Sequence, residues 1–448
     1  MLLNHLFFKI HKTTLLFGLI TILFYLSFAY DLNRHDYIKL MSLYTALFIL
    51  FYKLIQLYKQ NFTLLVVLAF GFRFLFLFAI PNLSQDFYRF IWDGRMIIQG
   101  FNPYLYTPES FILKASYPIF QAQELYDGMG VLNGSHFTNY PPLNQLCFII
   151  AGLFAGKSIL GSAIMLRLII IIADFGTLYF GKKLLEKLNI PVNHIFWYLL
   201  NPFIIIELTG NLHFEGVMIF FLVWSLYLLN EGKWKFAAVI FACSVSVKLI
   251  PLMFLPVLFQ KLAWKKSIGF YSIVGLLTIS TFIPFIHKDF IVNYTETIRL
   301  WFQRFEFNAS LYYVARAIGY SFRGYNEIAI IGKFIPLLVI AFVMTMAFFR
   351  KNKTMIELIS AFLLVLTFYY FTATTVHPWY IASLLFLSIF TKYRFPLVWS
   401  FIGILSYLAY ANSNNTENLW MIALEYIIVY AVFIWEVFLN KKKLFHNL

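Results

Sequence analysis

Apolar residues fall in long runs separated by short polar breaks along almost the whole chain. The runs cover 13–30, 38–57, 62–80, 158–181, 191–208, 213–230, 267–286, 328–349, 355–373, 379–391, 395–411 and 419–440. Most approach about 20 residues, the length at which a helix crosses a hydrocarbon core of about 30 Å. Two further runs, 143–156 and 236–259, are harder to place; Lys248 and Pro251 break the second, which reads as a helical hairpin. The alternating segments of about ten residues that mark a membrane barrel do not occur. The pattern predicts an all-α polytopic membrane protein with about 12–14 transmembrane helices in one integral domain, 1–448.

Composition supports this class. Hydrophobic residues make up 61% of the chain and charged residues 12%, against about 25% charged in a soluble domain. The net charge of +15 invites a nucleic-acid partner, but no soluble basic domain exists to carry one, so nucleic acid is excluded. Cys147 and Cys243 both lie in apolar runs, which argues against a disulfide framework. Ser27-Phe28-Ala29 has a weak likeness to a leader cleavage site, yet the run before it is long and a second follows at once, so it reads as a retained first helix.

Basic residues sit in short loops, where cytoplasmic retention needs them. One assignment places Lys9 and Lys12, Lys53 and Lys59, Lys182 to Lys187, Lys233 and Lys235, Lys261 to Lys266, Arg350 to Lys353, Lys392 and Arg394, and Lys441 to Lys443 on the inner side. It requires one net crossing from 143–181 and none or two from 236–259. The chain is then an inner-membrane protein with both termini cytoplasmic. The opposite, extracytoplasmic face receives 82–142, 209–215, the surroundings of Lys248, 287–327, 374–380 and 412–418. The loop 82–142, about 60 residues long, exceeds a connector and is expected to carry short interfacial helices and the chemistry; 287–327 is a second such loop.

Nearly every candidate for chemistry falls on that one face. Asp86 and Asp93 share a helix face with Arg89 between them, followed by Gly94 and Arg95. Ser84 as N-cap with Asp86 in the first turn fits an ordinary helix start, but leaves Arg89, Trp92, Asp93 and Arg95 unexplained. Asp86 or Asp93 would serve as a general base while the other orients a ligand or metal, and Arg89, Asp93 and Arg95 are candidates for binding substrate. Tyr140 precedes the prolines that open the next helix and offers a ligand surface. His213 and Glu215 join two spans on the outer side, and charges so placed need partners or a task. Lys248 interrupts an apolar run as a counter-charge for a lipid phosphate; snorkelling to the interface is the plain alternative. Arg299, Arg304 and Arg316 lie among aromatic residues, and His377 precedes Pro378-Trp379-Tyr380; His377 is a further binding candidate. Arg167 and Asp174, inside one span, read as structural.

The segment from Asp86 to Arg95, followed by Gly100-Phe101-Asn102-Pro103-Tyr104, resembles the first outer loop of the GT-C glycosyltransferase superfamily. The nearest likeness is to bacterial polyprenyl-phosphomannose-dependent mannosyltransferases. Tyr140-Pro141-Pro142-Leu143, Asn211 to Glu215, Lys248 to Pro251 and His377 to Tyr380 are similar to that group's scattered motifs, in the same order. The resemblance implies a GT-C-like bundle and inverting transfer of a sugar, mannose in the nearest relatives, from a polyprenyl-phosphate carrier to a glycan or glycolipid acceptor. It also implies that Asp86 is catalytic. Relatives often carry a second acid just before it, where this chain has Gln85. No cofactor follows from the resemblance, and a divalent cation stays open. The rival reading is a lipid or glycan transporter or flippase, which would show charges near the midplane and symmetric halves; a non-catalytic scaffold leaves the acidic loop without a purpose.

Overall fold

The apolar runs are helical, and ordinary capping chemistry sets several of their ends. Asp36 accepts the Lys39 amide at the start of Tyr37–Tyr58, and Asn61 accepts the Leu64 amide at the start of Phe62–Phe74. Thr354 and Glu357 form a reciprocal capping box before Met355–Thr372. The computed structural model describes residues 5–412 and 414–440; Lys441 to Lys443, the chain termini and the side chains of Lys9 and Lys12 lie outside the described residues.

Among the described residues, six helices are long and apolar enough to cross a membrane: Tyr37–Tyr58, Ile159–Lys187, Ile250–Phe285, Ile328–Phe348, Met355–Thr372 and Leu419–Leu439. Pro202–Gly210 and Glu215–Asn230, bent by 112°, make a seventh if taken as one broken span. Shorter apolar helices, such as Phe62–Phe74, Pro142–Ala155 and Trp234–Val247, fill the other runs. A helix of 13 residues, as in Phe62–Phe74, rises only about 20 Å, so these reach partway across a bilayer. The fold is all-α and polytopic; among the described residues the only strand-like pairing is an isolated bridge between Phe307 and Thr375.

Contacts sort the loops into two sets at opposite ends of these helices. In one set, Asn82 Nδ2 donates to the Phe28 and Leu32 carbonyls, His35 Nδ1 to that of Tyr410, Asn102 Nδ2 to that of Phe285, and Thr297 Oγ1 to that of Phe137. In the other, Lys187 pairs with Glu231 at 3.1 Å, Gln260 Nε2 donates to the Arg350 carbonyl, and the Arg394 amide donates to Glu436. The first set holds the polar segments read from the sequence and the second holds the basic loops.

Both uncertain runs resolve. Lys157, just past Pro142–Ala155, lies 4.8 Å from the centre of the Phe120 ring in the polar set. That helix therefore begins and ends at the polar end, and Ile159–Lys187 makes the crossing. Trp234–Val247 rises to Lys248, whose extended backbone (φ −146°, ψ 135°) ends it. The tight turns Ile250–Phe254 and Pro256–Leu258 then return the chain to Gln260 at the basic end.

The loop 82–142 carries three short helices, Asp86–Ile98, Pro108–Ile112 and Ala122–Gly134. The first packs on Pro142–Ala155 so closely that a Cβ on Gly94 would lie 2.3 Å from the Phe148 carbonyl oxygen. The glycine of the acidic motif thus serves helix packing.

Arg73, Asp174 and Arg167, buried deep among the helices, each have partners. Arg73 Nε donates to Asp174 at 2.6 Å, with both side chains fully buried. Arg167 donates to the carbonyls of Leu77, Thr209 and Gly210, two of them in the π-helical turn Ile205–Gly210, where the ordinary helical ladder is broken. Removing one partner of a buried pair leaves a charge stranded, at about 3–5 kcal/mol. Asp174→Ala is expected to lower the thermal unfolding midpoint in detergent by a corresponding amount, and the double change Arg73→Leu with Asp174→Leu to recover most of it; equal midpoints for single and double variants would contradict the pairing.

Candidate active site

A cavity of about 1020 Å³ opens among the polar loops. Ser84, Asp86, Arg89, Tyr140, Glu215, Lys248 and His377 line it, so segments spread over nearly 300 positions of sequence meet there. Asp86 sits in the first turn of its helix, half-buried. Its amide donates to Ser84 Oγ at 3.3 Å, and Asn133 Nδ2 donates to its carboxylate at 3.3 Å. Gln85, also on the wall, donates to the Met129 carbonyl at 2.8 Å.

Arg89 is a three-way tie. Its Nε donates to Asp93 at 2.8 Å, and its Nη1 donates to the Asn133 carbonyl at 2.5 Å and the His136 carbonyl at 3.0 Å. Its Nη2 is buried without a partner among the described residues. Asp93 also accepts from Gln145 Nε2 at 3.1 Å, is fully buried and is not part of the cavity wall. Arg95 is likewise off the wall; its Nη1 donates to the Phe120 carbonyl and to Gln121. Asp93 and Arg95 therefore brace the loop.

Lys248 Nζ lies 2.8 Å from Glu215 Oε1 and 5.7 Å from the centre of the Tyr140 ring. Burial, with Asp86 nearby, holds the Tyr140 phenol well above its ordinary pKa. His213 lies behind the wall. Its Nδ1 donates to the Glu207 carbonyl at 2.9 Å, which leaves Nε2 to accept from Ser84 Oγ at 3.2 Å. Glu207 accepts in turn from the Tyr407 hydroxyl at 2.8 Å. The apex of this bend holds Leu212 at φ +64°, a strained conformation for a side chain of that kind. His213 stacks on Trp379 at 3.7 Å and His377 stacks on the same indole at 4.5 Å.

Of the loop arginines, Arg316 lines the cavity paired with Glu306, while Arg299 and Arg304 are exposed and off the wall. Sequence reading missed Arg34, Asn133, His136, Glu417 and Tyr410, all on the wall. Arg34 was within reach, since its loop joins the first two apolar runs at the polar end. No three His, Cys, Asp or Glu side chains group to hold a metal ion among the described residues.

Two histidines are held neutral. Burial, then the Arg89 charge, pushes His136 down to about 4. Burial, with His213 and Lys248 nearby, pushes His377 down to about 3. Both start from 6.5, so between pH 6.5 and 4 the unfolded chain binds more protons and stability falls as pH falls. The thermal midpoint in detergent should decline across that window, and the double variant His136→Phe with His377→Phe should show a shallower decline; an unchanged slope would contradict the assignment.

A family model described as "Alpha-(1->6)-mannopyranosyltransferase, N-terminal domain" matches residues 37–264, which include Asp86 and Lys248 and stop short of His377. Among curated proteins, the chain is similar to Alpha-(1->6)-mannopyranosyltransferase A of Corynebacterium glutamicum, at 25% identity over 205 residues. That alignment takes in 45% of this chain and 38% of the relative, well under two thirds of its length.

Proposed function

The chain belongs to the alpha-(1->6)-mannopyranosyltransferase family, and from that premise we propose that it moves mannose from a polyprenyl-phosphate carrier to a sugar hydroxyl, with inversion, on the extracytoplasmic face of the inner membrane. The observation that carries the reading is the presence of one carboxylate, Asp86, and one ammonium, Lys248, on the wall of the same cavity. Ile335, Val339, Ile340, Leu249 and Met253 add an apolar stretch to that wall, which suits a lipid chain.

In the proposed step the acceptor oxygen attacks the anomeric carbon as the bond from that carbon to the phosphate oxygen breaks. The hydroxyl proton passes to Asp86. The leaving group is polyprenyl phosphate, and Lys248 stabilises its growing charge. Glu215 orients Lys248 and lowers its net pull, so that product can leave. Arg89 acts by holding Asn133 against Asp86 more than by meeting phosphate directly. Ser84, fixed by His213, anchors the amide of Asp86 from the other side.

Purified protein in proteoliposomes, given labelled polyprenyl-phosphomannose and an α-1,6-mannobioside, should elongate the acceptor. Asp86→Asn should reduce turnover by about 10²-fold or more, and Lys248→Met should slow cleavage of the bond between the sugar and polyprenyl phosphate. Wild-type turnover in Asp86→Asn removes it from the mechanism, and lipid moved across the bilayer without chemical change supports a carrier instead.

The sidedness has its own test. In a cysteine-free background, a cysteine at the exposed Lys114 in the loop 82–142 should react with an impermeant maleimide applied from outside intact spheroplasts. A cysteine at the exposed Lys233 should react only after lysis. The reverse pattern would put the cavity on the cytoplasmic side.

A further inference from the structure

One wall of the cavity carries three polar side chains without hydrogen-bond partners among the described residues. They are His136 at both ring nitrogens, Trp301 at Nε1 and His377 at Nδ1. Buried polar groups are nearly always paired, so three orphans on one wall mark a place shaped for a ligand. The rings form a line. His136 meets Trp301 edge-on at 5.2 Å, Trp301 meets His377 at 6.3 Å and 66°, and His377 stacks on Trp379.

The line is fixed before any ligand arrives. Arg89 grips the His136 carbonyl. Thr297 Oγ1, on the helix that carries Trp301, donates to the Phe137 carbonyl. The Val376 amide donates to the Phe307 carbonyl, and Thr375 Oγ1 donates to that of Phe305. Three separate segments therefore hold the rings in register. Asn133, three positions before His136, is the residue that donates to Asp86, so the line ends beside the candidate base.

The chemistry of the wall selects its ligand. With both imidazoles neutral, each offers one donor and one acceptor, and the indole offers a donor. Flat apolar faces alternate with these groups. Hydroxyls set around the C–H face of an uncharged sugar match these neutral donors and acceptors, while a phosphate is drawn to the ammonium of Lys248.

We propose that His136, Trp301 and His377 form a subsite for a neutral saccharide, which serves as the acceptor. The word acceptor rests on the proposed mannosyl transfer; the saccharide site stands apart from it. The subsite sets substrate class: glycans bearing uncharged hexoses are taken, and the terminal hydroxyl is delivered to Asp86.

The test is direct binding, without donor, of a methyl α-1,6-mannobioside to the full-length protein in detergent by calorimetry. His136→Phe, Trp301→Phe and His377→Phe should each weaken saccharide affinity about tenfold, the size of a lost hydrogen bond to a buried partner. Polyprenyl phosphate affinity should shift less than about threefold in the same proteins, since each position keeps an aromatic ring and Lys248 is untouched. In the unmutated chain, saturating mannobioside should protect His377 from diethylpyrocarbonate, read by mass spectrometry, so the proposal does not hang on variants that fold poorly. Absence of saturable saccharide binding, unchanged affinity in all three variants, or loss of polyprenyl phosphate affinity instead would overturn it. Transfer with an unchanged acceptor KM in the variants would sink the subsite and spare the proposed function. Saccharide binding lost in the variants of a chain that transfers nothing would do the opposite.

Discussion

The candidate site depends on the Arg89 fork. A guanidinium closed off from water must find acceptors, and Arg89 finds three on two pieces of chain: Asp93 one turn along its own helix, and the carbonyls of Asn133 and His136. Asp93 passes the tie onward to Gln145, whose amide also donates to Thr138 Oγ1. The helix of the acid, the loop that partners the acid and the helix beneath both are thereby one unit. A long loop with little regular structure would otherwise have to pay for order residue by residue.

Around that unit the cavity divides its labour. One side is apolar and leads to Lys248, which Glu215 holds in place. Another carries rings with spare hydrogen-bonding capacity. Asp86 lies between, supported by Asn133 from one direction and by Ser84, and behind it His213, from the other. The groups proposed to react are few, and most of the charged side chains nearby serve to fix them. This is the expected economy of a site built at a membrane boundary, where each unpaired charge is costly.

Much of this was legible in the sequence. Apolar runs gave the helices, and charge counting separated the basic loops from the polar ones before any contact was known. Asp86 and Lys248 stood out because each breaks a pattern: one opens a polar helix after an apolar run, the other interrupts one. What could not be read was which way charges on the same helix face. Asp86, Arg89 and Asp93 share a side of one helix, yet only the first two reach the cavity, because Gln145 covers the third. Periodicity reports that residues share a face; it does not report what packs on it. His213 was visible as a lone histidine on the right side, but its place behind Trp379 depends on a partner 166 positions away. Arg34, His136 and Glu417 come from loops with no common motif, joined only by the fold.

The account stands most directly on a structure of the protein bound to polyprenyl phosphate and a mannobioside together. It predicts the phosphate against Lys248, and the terminal hydroxyl of the saccharide within about 3.2 Å of the Asp86 carboxylate, with the rest of the sugar along the His136 to His377 wall. A phosphate seated away from Lys248, or a saccharide whose hydroxyls lie out of reach of Asp86, would contradict it.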